Sequence, residues 1–351
     1  MEINVKKLRS ATAACPCKDA GYFPVAATTD GRHVLIVHRA GDGHIGVKGR
    51  LDCIISEDAG RTWSRPLVVV DGPYDDRNPS VGVTKSGIIV VAYWVIKNYG
   101  EDGQWFEAVP PGEAWLTRSH DGGRTWEKPY PLNIGDYREL SPYGQMLTLD
   151  DGSLLMPIYG AIGWQPGTER KDCSYLVRST DEGLTWEKFT MAGEYVNESA
   201  FLLLPEGRLL AVMRGVEYDC RDALSQSFAD IHELKWSPLE AIGSGGMIPP
   251  SLARLSSGGV LLAFGYRGVP YGARGGMSRD GGRTWRKDRV IVFGDDGDNA
   301  DCGYPSALLL EGGRLLVAYY TTRGFDAYSC KGARLHVVTC DEDELARAFW
   351  A

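Results

Sequence analysis

The sequence predicts an all-β fold, a β-propeller built from six blades of four antiparallel strands each. Three observations lead to this prediction. An eight-residue turn motif occurs four times, a turn glycine followed by an apolar strand occurs six times, and 43% of the 351 residues are hydrophobic, enough core for one large domain. We therefore expect residues 1–351 to form a single six-bladed domain.

The turn motif reads Ser-x-Asp-x-Gly-x-Thr-Trp. Its copies are SEDAGRTW (56–63), SHDGGRTW (119–126), STDEGLTW (179–186) and SRDGGRTW (278–285). In such a turn the aspartate accepts backbone N–H groups, the glycine takes a positive φ and the tryptophan packs between sheets. The aspartates are 63, 60 and 99 residues apart, and the last gap fits two units. One unit has therefore lost its motif, and we place it near residues 224–236.

The second repeat predicts the number of blades. Each copy has a turn glycine before an apolar strand, as in TDGRHVLIV and EGGRLLVAYY. The six glycines are Gly31, Gly87, Gly152, Gly207, Gly259 and Gly313, five intervals over 282 residues with a mean near 56. Propellers close by joining strands from both termini. We expect the closing strand from residues 1–14 or from LHVVTC at 335–340, and the sequence does not choose between them.

The charge balance and the apolar pattern limit the possible partners. Lys and Arg total 38 against 46 Asp and Glu, a formal charge of −8, and no dense basic run is present, so nucleic acid is not an expected partner. No segment has the apolar length of a signal peptide or of a membrane span. We expect a soluble, cytoplasmic protein, and leave open a signal segment cleaved ahead of residue 1.

The eight cysteines lack the paired spacing of a zinc site and the density of a disulfide scaffold, so free thiols are expected. The close pair Cys15 and Cys17 is interpreted as part of a reduced loop. The acidic segment DDGDNAD (295–301) could bind a cation, but clustered acids in a loop are more often solvated. We predict no metal and no cofactor.

Chemistry is expected near the propeller axis, because the innermost strand of every blade begins there. The predicted starts lie near Tyr22, Arg77, Ser141, Glu198, Pro249 and Tyr304. These residues are about 50 positions apart in sequence, yet a ring of blades makes them neighbours. Candidate site residues are therefore sought at these starts and in the loops that follow them.

The turn motif resembles the Asp box of the sialidase (neuraminidase) superfamily, whose members are six-bladed propellers. NESAFLLLPEGRLLAVMR is similar to the fourth-blade motif of that superfamily, which implies site roles for Glu198 and Arg214. DCGYPSALLLEGGRLLVAYY resembles the sixth-blade motif that carries the nucleophile, here Tyr304. YGARGGMSRDGGRTW resembles the segment with a second substrate-binding arginine, here Arg274, and Arg267 in FGYRGVPYGAR is the alternative.

The residue types that the resemblance implies suit cleavage of an acidic sugar. Sialic acid carries a carboxylate on its anomeric carbon, so a neutral phenol such as Tyr304 meets less repulsion than an anionic nucleophile. A phenol with a reference pKa of about 10 needs a base, and Glu198 would take its proton. Arginine binds a carboxylate through two parallel hydrogen bonds. We therefore expect Glu198 and Arg214 to face a shared ligand and not to pair with each other.

The match to the superfamily fails at the first blade. The superfamily opens this blade with Arg-Ile-Pro, whereas this chain has Tyr22 in GYFPVAATTDG at the arginine position. In the next loop, where the superfamily places an Asp acid/base, counting back from the turn motif gives His44, with Asp42 two residues away.

The second blade offers substitutes in the segment YDDRNPSVGV. Arg77 would supply a third arginine, and Asp75 or Asp76 beside it an acid. Asp102, in the loop that follows, is a further acid candidate. These departures bear on the identity of the sugar more than on the enzymatic role.

The sequence therefore predicts a sialidase-like retaining exo-glycosidase, one catalytic domain over residues 1–351, that removes a terminal acidic sugar such as sialic acid. The predicted catalytic residues are Tyr304 as nucleophile, Glu198 as its base and Asp76, His44 or Asp42 as the acid. The predicted substrate-binding residues are Arg214, Arg274, Arg77, Arg267 and Tyr22. The alternatives are a polysaccharide lyase, a glycosidase for a uronic or keto sugar, and a non-catalytic glycan-binding propeller. The expected partner is an acidic carbohydrate; linkage and oligomeric state are not predicted.

Overall fold

Six β-sheets surround a central axis in the computed structural model of the chain. The structure describes residues 1–106, 112–165, 167–216, 223–243, 245–324 and 326–351. Within each sheet, successive strands of the chain pair side by side and antiparallel. The prediction of a six-bladed antiparallel β-propeller is therefore confirmed.

The first three sheets follow two N-terminal strands. These strands are β1 (Glu2–Asn4) and β2 (Thr12–Lys18), separated by a 3-10 helix (Val5–Lys7). Sheet 1 contains β3 (Tyr22–Thr28), β4 (Val34–Ala40), β5 (Arg50–Ser56) and β6 (Leu67–Val70). Sheet 2 contains β7 (Asp75–Val83), β8 (Ile89–Ile96), β9 (Glu113–Ser119) and β10 (Tyr130–Pro131). A 3-10 helix (Gly135–Glu139) precedes sheet 3. Sheet 3 contains β11 (Ser141–Pro142), β13 (Leu147–Thr148), β14 (Leu154–Gly160), β15 (Cys173–Ser179) and β16 (Glu187–Glu194). The short strand β12 (Gly144–Gln145) lies between β11 and β13 in the chain but pairs with β7 of sheet 2.

The other three sheets repeat the same order. Sheet 4 contains β17 (Val196–Leu203), β18 (Arg208–Gly215), β19 (Leu224–Asp230) and β20 (Glu240–Ala241). Sheet 5 contains β21 (Met247–Arg254), β22 (Val260–Tyr266), β23 (Tyr271–Ser278) and β24 (Val290–Gly297). Sheet 6 contains β25 (Gly303–Leu310), β26 (Arg314–Thr321) and β27 (Arg334–Asp341). Two 3-10 helices (Pro205–Gly207 and Glu311–Gly313) lie between strands, and α1 (Glu342–Trp350) ends the chain.

Strand β2 closes the ring as the outermost strand of sheet 6. It pairs antiparallel with β27, with Thr12 opposite Thr339 and Lys18 opposite Arg334. Both segments that the sequence offered therefore contribute, because β27 contains LHVVTC. Strand β1 adds a parallel edge to β24 of sheet 5, with Ile3 opposite Ile291.

The four turn motifs share one hydrogen-bond network. In each copy the Ser hydroxyl donates to the Asp carboxylate at 2.7–2.9 Å, and the Thr backbone N–H donates to the same carboxylate at 2.8–2.9 Å. Hydrogen bonds from Thr125 and other donors lower the pKa of Asp121 to about 2. The predicted role of the motif as a structural turn is confirmed.

The fourth sheet lacks the motif, as predicted from the long gap between the third and fourth copies. The connection from β19 to β20 keeps only part of the network: Asp230 accepts from the backbone N–H of His232 at 2.8 Å and of Glu233 at 3.3 Å. Leu234 takes the positive φ, 54°, that glycine provides elsewhere. The turn therefore survives without its consensus residues.

In the part of the chain that the structure describes, six clusters of buried apolar side chains fill the gaps between neighbouring sheets. Leu210 of sheet 4 and Leu262 of sheet 5 share one cluster, and Ile36 of sheet 1 and Leu316 of sheet 6 share another. Because the first and last sheets also pack together, the core forms a ring. The residues at the propeller axis are not needed for this apolar core and can make other contacts.

Gln145 crosses the axis and ties three inner strands together. Its amide nitrogen donates to the carbonyl oxygens of Ala26 and Ala307, each at 3.1 Å, and its amide oxygen accepts from the Ser251 hydroxyl at 3.3 Å. These partners belong to sheets 1, 6 and 5. The Gln145 side chain therefore links three sheets through hydrogen bonds.

Seven of the eight cysteines are free thiols, as predicted, and the eighth, Cys220, lies outside the described residues. Burial raises the pKa of the Cys17 thiol to about 12, which keeps that thiol protonated.

None of the described helices combines the length and the apolar composition that spanning a bilayer requires.

Candidate active site

The inner strands of five sheets are irregular near their first residues. Strand register shifts between Tyr22 and Val25, Arg77 and Ser80, Val196 and Ser199, Met247 and Pro250, and Gly303 and Ser306. In three cases a residue with positive φ precedes a proline: Phe23 (53°), Asn78 (49°) and Tyr304 (49°). A positive φ raises the conformational free energy of residues other than glycine, and residues in this conformation are concentrated at functional sites. The bulges bend the strand starts and so re-aim their side chains.

Tyr304 and Glu198 meet although they are 106 residues apart in sequence. The Tyr304 hydroxyl donates to Glu198 Oε1 at 2.6 Å, and each residue is 4% exposed. Burial and the Glu198 carboxylate raise the pKa of Tyr304 well above its usual value, against the opposing effect of nearby arginines. The phenol is therefore neutral at rest, with its proton directed at a carboxylate.

Arg214, near the end of β18, binds the other oxygen of the same carboxylate. Its Nη1 donates to Glu198 Oε2 at 2.7 Å. The expectation that Glu198 and Arg214 do not pair is therefore wrong. A buried carboxylate needs a charged or hydrogen-bonding partner, and this guanidinium supplies one. Glu198 thus connects a phenol to a cation through its two oxygens.

The structure separates the two alternative arginines of sheet 5. Arg267, just after β22, interacts electrostatically with Tyr304 and Glu198, and its buried Nε has no hydrogen-bond partner among the described residues. Arg274 in β23 instead donates to three backbone carbonyl oxygens and lines a cavity of about 510 Å³ between sheets 4 and 5. The Arg274 guanidinium is thus engaged with backbone carbonyls, whereas Arg267 is the arginine of this sheet that interacts with Tyr304 and Glu198. We call the cluster of Tyr304, Glu198, Arg214 and Arg267 the axial site.

Three buried aromatic rings surround Tyr304. The ring centroids of Phe23, Tyr143 and Tyr320 lie 4.8, 5.4 and 5.8 Å from that of Tyr304. Sequence reasoning missed all three, although Phe23 and Tyr143 lie one and two residues after predicted strand starts. They fix the orientation of the phenol and keep water away from its ring.

Arg77 approaches the axial site from sheet 2. Its guanidinium lies 5.4 Å from the centroid of Phe23, the ring that also contacts Tyr304. Arg77 Nη1 is 3.7 Å from Asp75 Oδ2. Asp75 also accepts from the fully buried Arg39 and, at 2.5 Å, from the Tyr99 hydroxyl. These contacts occupy both oxygens of the Asp75 carboxylate, so Asp75 has a structural role between sheets 1 and 2.

Asp76 lies on the opposite face of β7 from Arg77, since side chains alternate along a strand. Its carboxylate accepts from the backbone N–H of Gly72 at 2.7 Å and lines a cavity of about 550 Å³ between sheets 1 and 2. Burial, with smaller effects from Asp75 and Asp71, raises the pKa of Asp76 to about 7. The structure thus places this acid candidate in another cavity and not at the axial site.

Asp42 and Asp102 are bound within their own loops. Asp42 accepts from the backbone N–H of Gly43 at 3.3 Å and of Lys48 at 3.1 Å, so it holds the loop that carries His44. Asp102 accepts from the backbone of its own exposed turn at 3.0 Å. Neither carboxylate is brought to the axial site.

Tyr22, at the arginine position of the superfamily, is only 1% exposed. Its hydroxyl donates to the Ser329 carbonyl at 3.3 Å, and its ring centroid is 5.0 Å from that of Tyr320. Tyr22 therefore supports the aromatic wall, and the prediction that it binds substrate directly is not supported by its position.

His44 is the acid candidate that lies beside the axial site. Its ring packs edge-on against Phe23, with centroids 4.9 Å apart, and its Nδ1 is 2.8 Å from Asp301 Oδ1. The Tyr320 hydroxyl donates to the same oxygen at 2.6 Å. Burial opposes ionisation of Asp301, but the hydrogen bonds from His44 and Tyr320 outweigh it and lower the pKa of Asp301.

Asp301 is buried and paired with His44, so the acidic segment 295–301 is not the solvated loop that its sequence suggested. Sequence reasoning could not assign this partner, since His44 and Asp301 are 257 residues apart.

In the described ranges, no group of three or more His, Cys, Asp or Glu side chains is placed to hold a metal ion.

Comparison with curated proteins gives two similar sialidases. The sialidase of Micromonospora viridifaciens is 27% identical over 237 residues, which cover 58% of this chain and 35% of that protein. The sialidase of Bacteroides fragilis (strain YCH46) is 24% identical over 276 residues, 70% of this chain and 49% of that protein. The chain thus spans between a third and a half of the length of these relatives.

Solved structures share the fold at low identity. A Dyadobacter fermentans protein of unknown function has a TM-score of 0.77 and 22% identity, covering 95% of this chain and 99% of that one. A Trypanosoma rangeli sialidase, solved with a difluoro-KDN ligand, has a TM-score of 0.68 and 14% identity, covering 99% and 60%. The Hadza microbial sialidase Hz136 has a TM-score of 0.68 and 18% identity, covering 93% and 66%.

The resemblance to the sialidase superfamily that the turn motifs suggested is supported by these relatives and by the shared fold. Residues 38–317, most of the chain, match the sequence profile of the BNR repeat-like domain. The chain therefore belongs to the BNR repeat-like domain family, with the six-bladed propeller of the sialidases.

Proposed function

We propose that this chain is a retaining exo-glycosidase of the sialidase type, which removes a terminal acidic sugar from a glycoconjugate. The observation that carries the proposal is the 2.6 Å hydrogen bond from Tyr304 to Glu198. A neutral phenol beside a buried base and guanidinium groups suits a substrate with an anionic group at its reacting carbon. Residues 1–351 would act as one catalytic unit.

In the first step Glu198 takes the Tyr304 proton while the phenol oxygen attacks the anomeric carbon. A bond from this oxygen to the sugar forms, the bond to the leaving oxygen breaks, and the leaving oxygen takes a proton from His44. A free phenolate is costly in this buried place, as the raised pKa of Tyr304 indicates. The proton transfer therefore accompanies the attack.

In the second step neutral His44 takes a proton from water, whose oxygen attacks the anomeric carbon. The bond to Tyr304 breaks, and the phenolate recovers its proton from Glu198. Two displacements with inversion give net retention of configuration.

The substrate carboxylate would bind to Arg267 and Arg77, with the positive charge of Arg214 beside them. Support comes from the electrostatic interaction of Arg267 with both Tyr304 and Glu198, which puts its positive charge beside the reacting groups. Guanidinium groups stay charged in a closed pocket, so they hold an anion at any physiological pH.

The test is hydrolysis of 4-methylumbelliferyl glycosides of sialic acid and of other acidic sugars. We expect turnover of at least one substrate, with retained configuration in the first product seen by NMR. Tyr304→Phe should lower kcat by about 10³-fold or more, and Glu198→Gln by about 10²- to 10⁴-fold.

Tyr319→Phe is the matched control, because this buried tyrosine of β26 donates to Asp296 at 3.2 Å and lies outside the axial site. The proposal fails if no acidic glycoside is cleaved, or if Tyr304→Phe retains wild-type turnover.

A second candidate is a lyase for uronate polymers, and one observation favours it. Tyr304 and His44 both pack against Phe23, so a phenol and an imidazole lie near the same arginines. In a lyase these groups would move protons during β-elimination while arginine neutralises the uronate. A product with new ultraviolet absorbance from a carbon–carbon double bond, formed without uptake of water, would select this candidate.

A further inference from the structure

We propose that His44, Asp301 and Tyr320 form a proton-transfer unit, in which Asp301 and Tyr320 are positioning residues. The unit takes the place of the single acid/base Asp that the sialidase superfamily has in the corresponding loop. The inference rests on the proposed glycosidase function for its chemistry. Its geometry stands independently of that function, because Asp301 Oδ1 accepts from the Tyr320 hydroxyl at 2.6 Å and lies 2.8 Å from His44 Nδ1.

Asp301 is itself held rigidly in place. Its backbone N–H donates to the Asn299 side-chain oxygen at 2.8 Å, and its carbonyl oxygen accepts from the Thr322 hydroxyl at 2.8 Å. Only 8% of Asp301 is exposed. A carboxylate that is fixed at both backbone and side chain can hold a histidine ring in one orientation.

The Asp301 contact also determines which nitrogen of His44 can react. An ionised carboxylate only accepts hydrogen bonds, so His44 Nδ1 carries the hydrogen that faces it. Nε2 is then the nitrogen that gains and loses a proton. The His44 side chain is 27% exposed, and its ring contacts Phe23, which contacts Tyr304. The ring is therefore partly open to solvent and lies at the edge of the axial site.

Charge explains why an imidazole with a carboxylate partner suits this position. A single carboxylate becomes anionic when it gives its proton to the leaving group, and it would then face an anionic sugar. His44 passes from cation to neutral in the same step, so no new anion forms beside the substrate. Asp301 stabilises the cation before transfer, and Tyr320 stabilises Asp301.

Leaving-group dependence separates this role from a merely structural one. An acid is needed for a poor leaving group such as lactose in sialyllactose, and hardly for the activated methylumbelliferyl group. We expect His44→Ala and Asp301→Asn to lower kcat/KM on the poor substrate by about 10²-fold or more and on the activated one by less than about tenfold. Azide should raise kcat of His44→Ala on the activated substrate, because it attacks without a general base. Asp102→Asn, in an exposed turn, is the control and should match wild type.

Equal losses on both substrates, or no loss, would overturn the role of the unit. A second measurement does not depend on turnover: nitrogen NMR of the His44 ring. We expect the Nδ1–H tautomer in wild type and a changed tautomer ratio in Asp301→Asn. A dominant Nε2–H form in wild type would reject the geometry. If wild type cleaves no acidic glycoside but shows the Nδ1–H tautomer, the proposed function fails and the arrangement of the unit stands.

Discussion

Glu198 uses each of its oxygens for a different partner, and this division gives the site its chemistry. Oε1 accepts from the Tyr304 phenol, and Oε2 accepts from Arg214. The guanidinium stabilises the carboxylate in a buried place, and the carboxylate keeps the phenol pointed in one direction. Removing either partner leaves a buried acceptor unsatisfied, at a cost of about 1–3 kcal/mol.

The two arginines of sheet 5 provide a matched pair of variants. Arg267→Lys should raise KM for an acidic substrate by about tenfold or more, because lysine loses the planar fork that holds a carboxylate. Arg274→Lys should leave KM unchanged and lower stability by about 1–3 kcal/mol, because its guanidinium binds three backbone carbonyls. Steady-state kinetics and urea denaturation of both variants measure these effects. A larger KM change for Arg274→Lys would show that the assignment of the two arginines is reversed.

The turn motif acts at the scale of one strand connection. Its Asp, Ser and Thr side chains satisfy backbone groups locally, so each copy stabilises its own sheet without contact with the axis. The fourth sheet folds with only part of this network. The motif is therefore informative about the fold and uninformative about chemistry.

The turn aspartates predict weaker folding in acid. The folded-state pKa of Asp58 and of Asp121 is about 2, below the ordinary value of 3.8, so both contribute stability that is complete above about pH 4. As pH falls from about 4 to 2, this contribution is lost because the unfolded state binds protons in this range that the folded state does not bind. Urea denaturation across this range should show a smaller decline for the double variant Asp58→Asn/Asp121→Asn than for wild type. An equal decline would assign acid unfolding to other groups.

At the scale of the whole molecule, the ring depends on a pairing between its two ends. Strand β2 covers the edge of β27, and without it sheet 6 would expose an unpaired strand edge. Deletion of residues 1–18 should therefore abolish cooperative thermal unfolding and cause aggregation. Deletion of residues 1–4 is the control, since it removes only the short parallel pairing of β1 and should lower Tm by a few degrees. A cooperative transition in the longer deletion would show that closure by β2 is dispensable.

Closure also explains the position of the candidate site. Tyr304 and Glu198 belong to the sixth and fourth sheets, His44 and Phe23 to the first, and Arg77 to the second. A small shift in the angle between sheets would move these groups relative to one another. The side chain of Gln145, bound to three inner strands, restrains such shifts beneath the site.

The sequence by itself determined the number of sheets, the place of the missing turn and the strand starts that carry Tyr304 and Glu198. These features follow from local rules, since turn residues and strand periodicity act over a few residues and repeat along the chain. Only the tertiary structure decided that Arg267 and not Arg274 joins the site, that Glu198 binds Arg214, and that Asp301 supports His44. The reason is geometric: bulged strand starts set the direction of each side chain, and ring closure joins residues that are hundreds of positions apart.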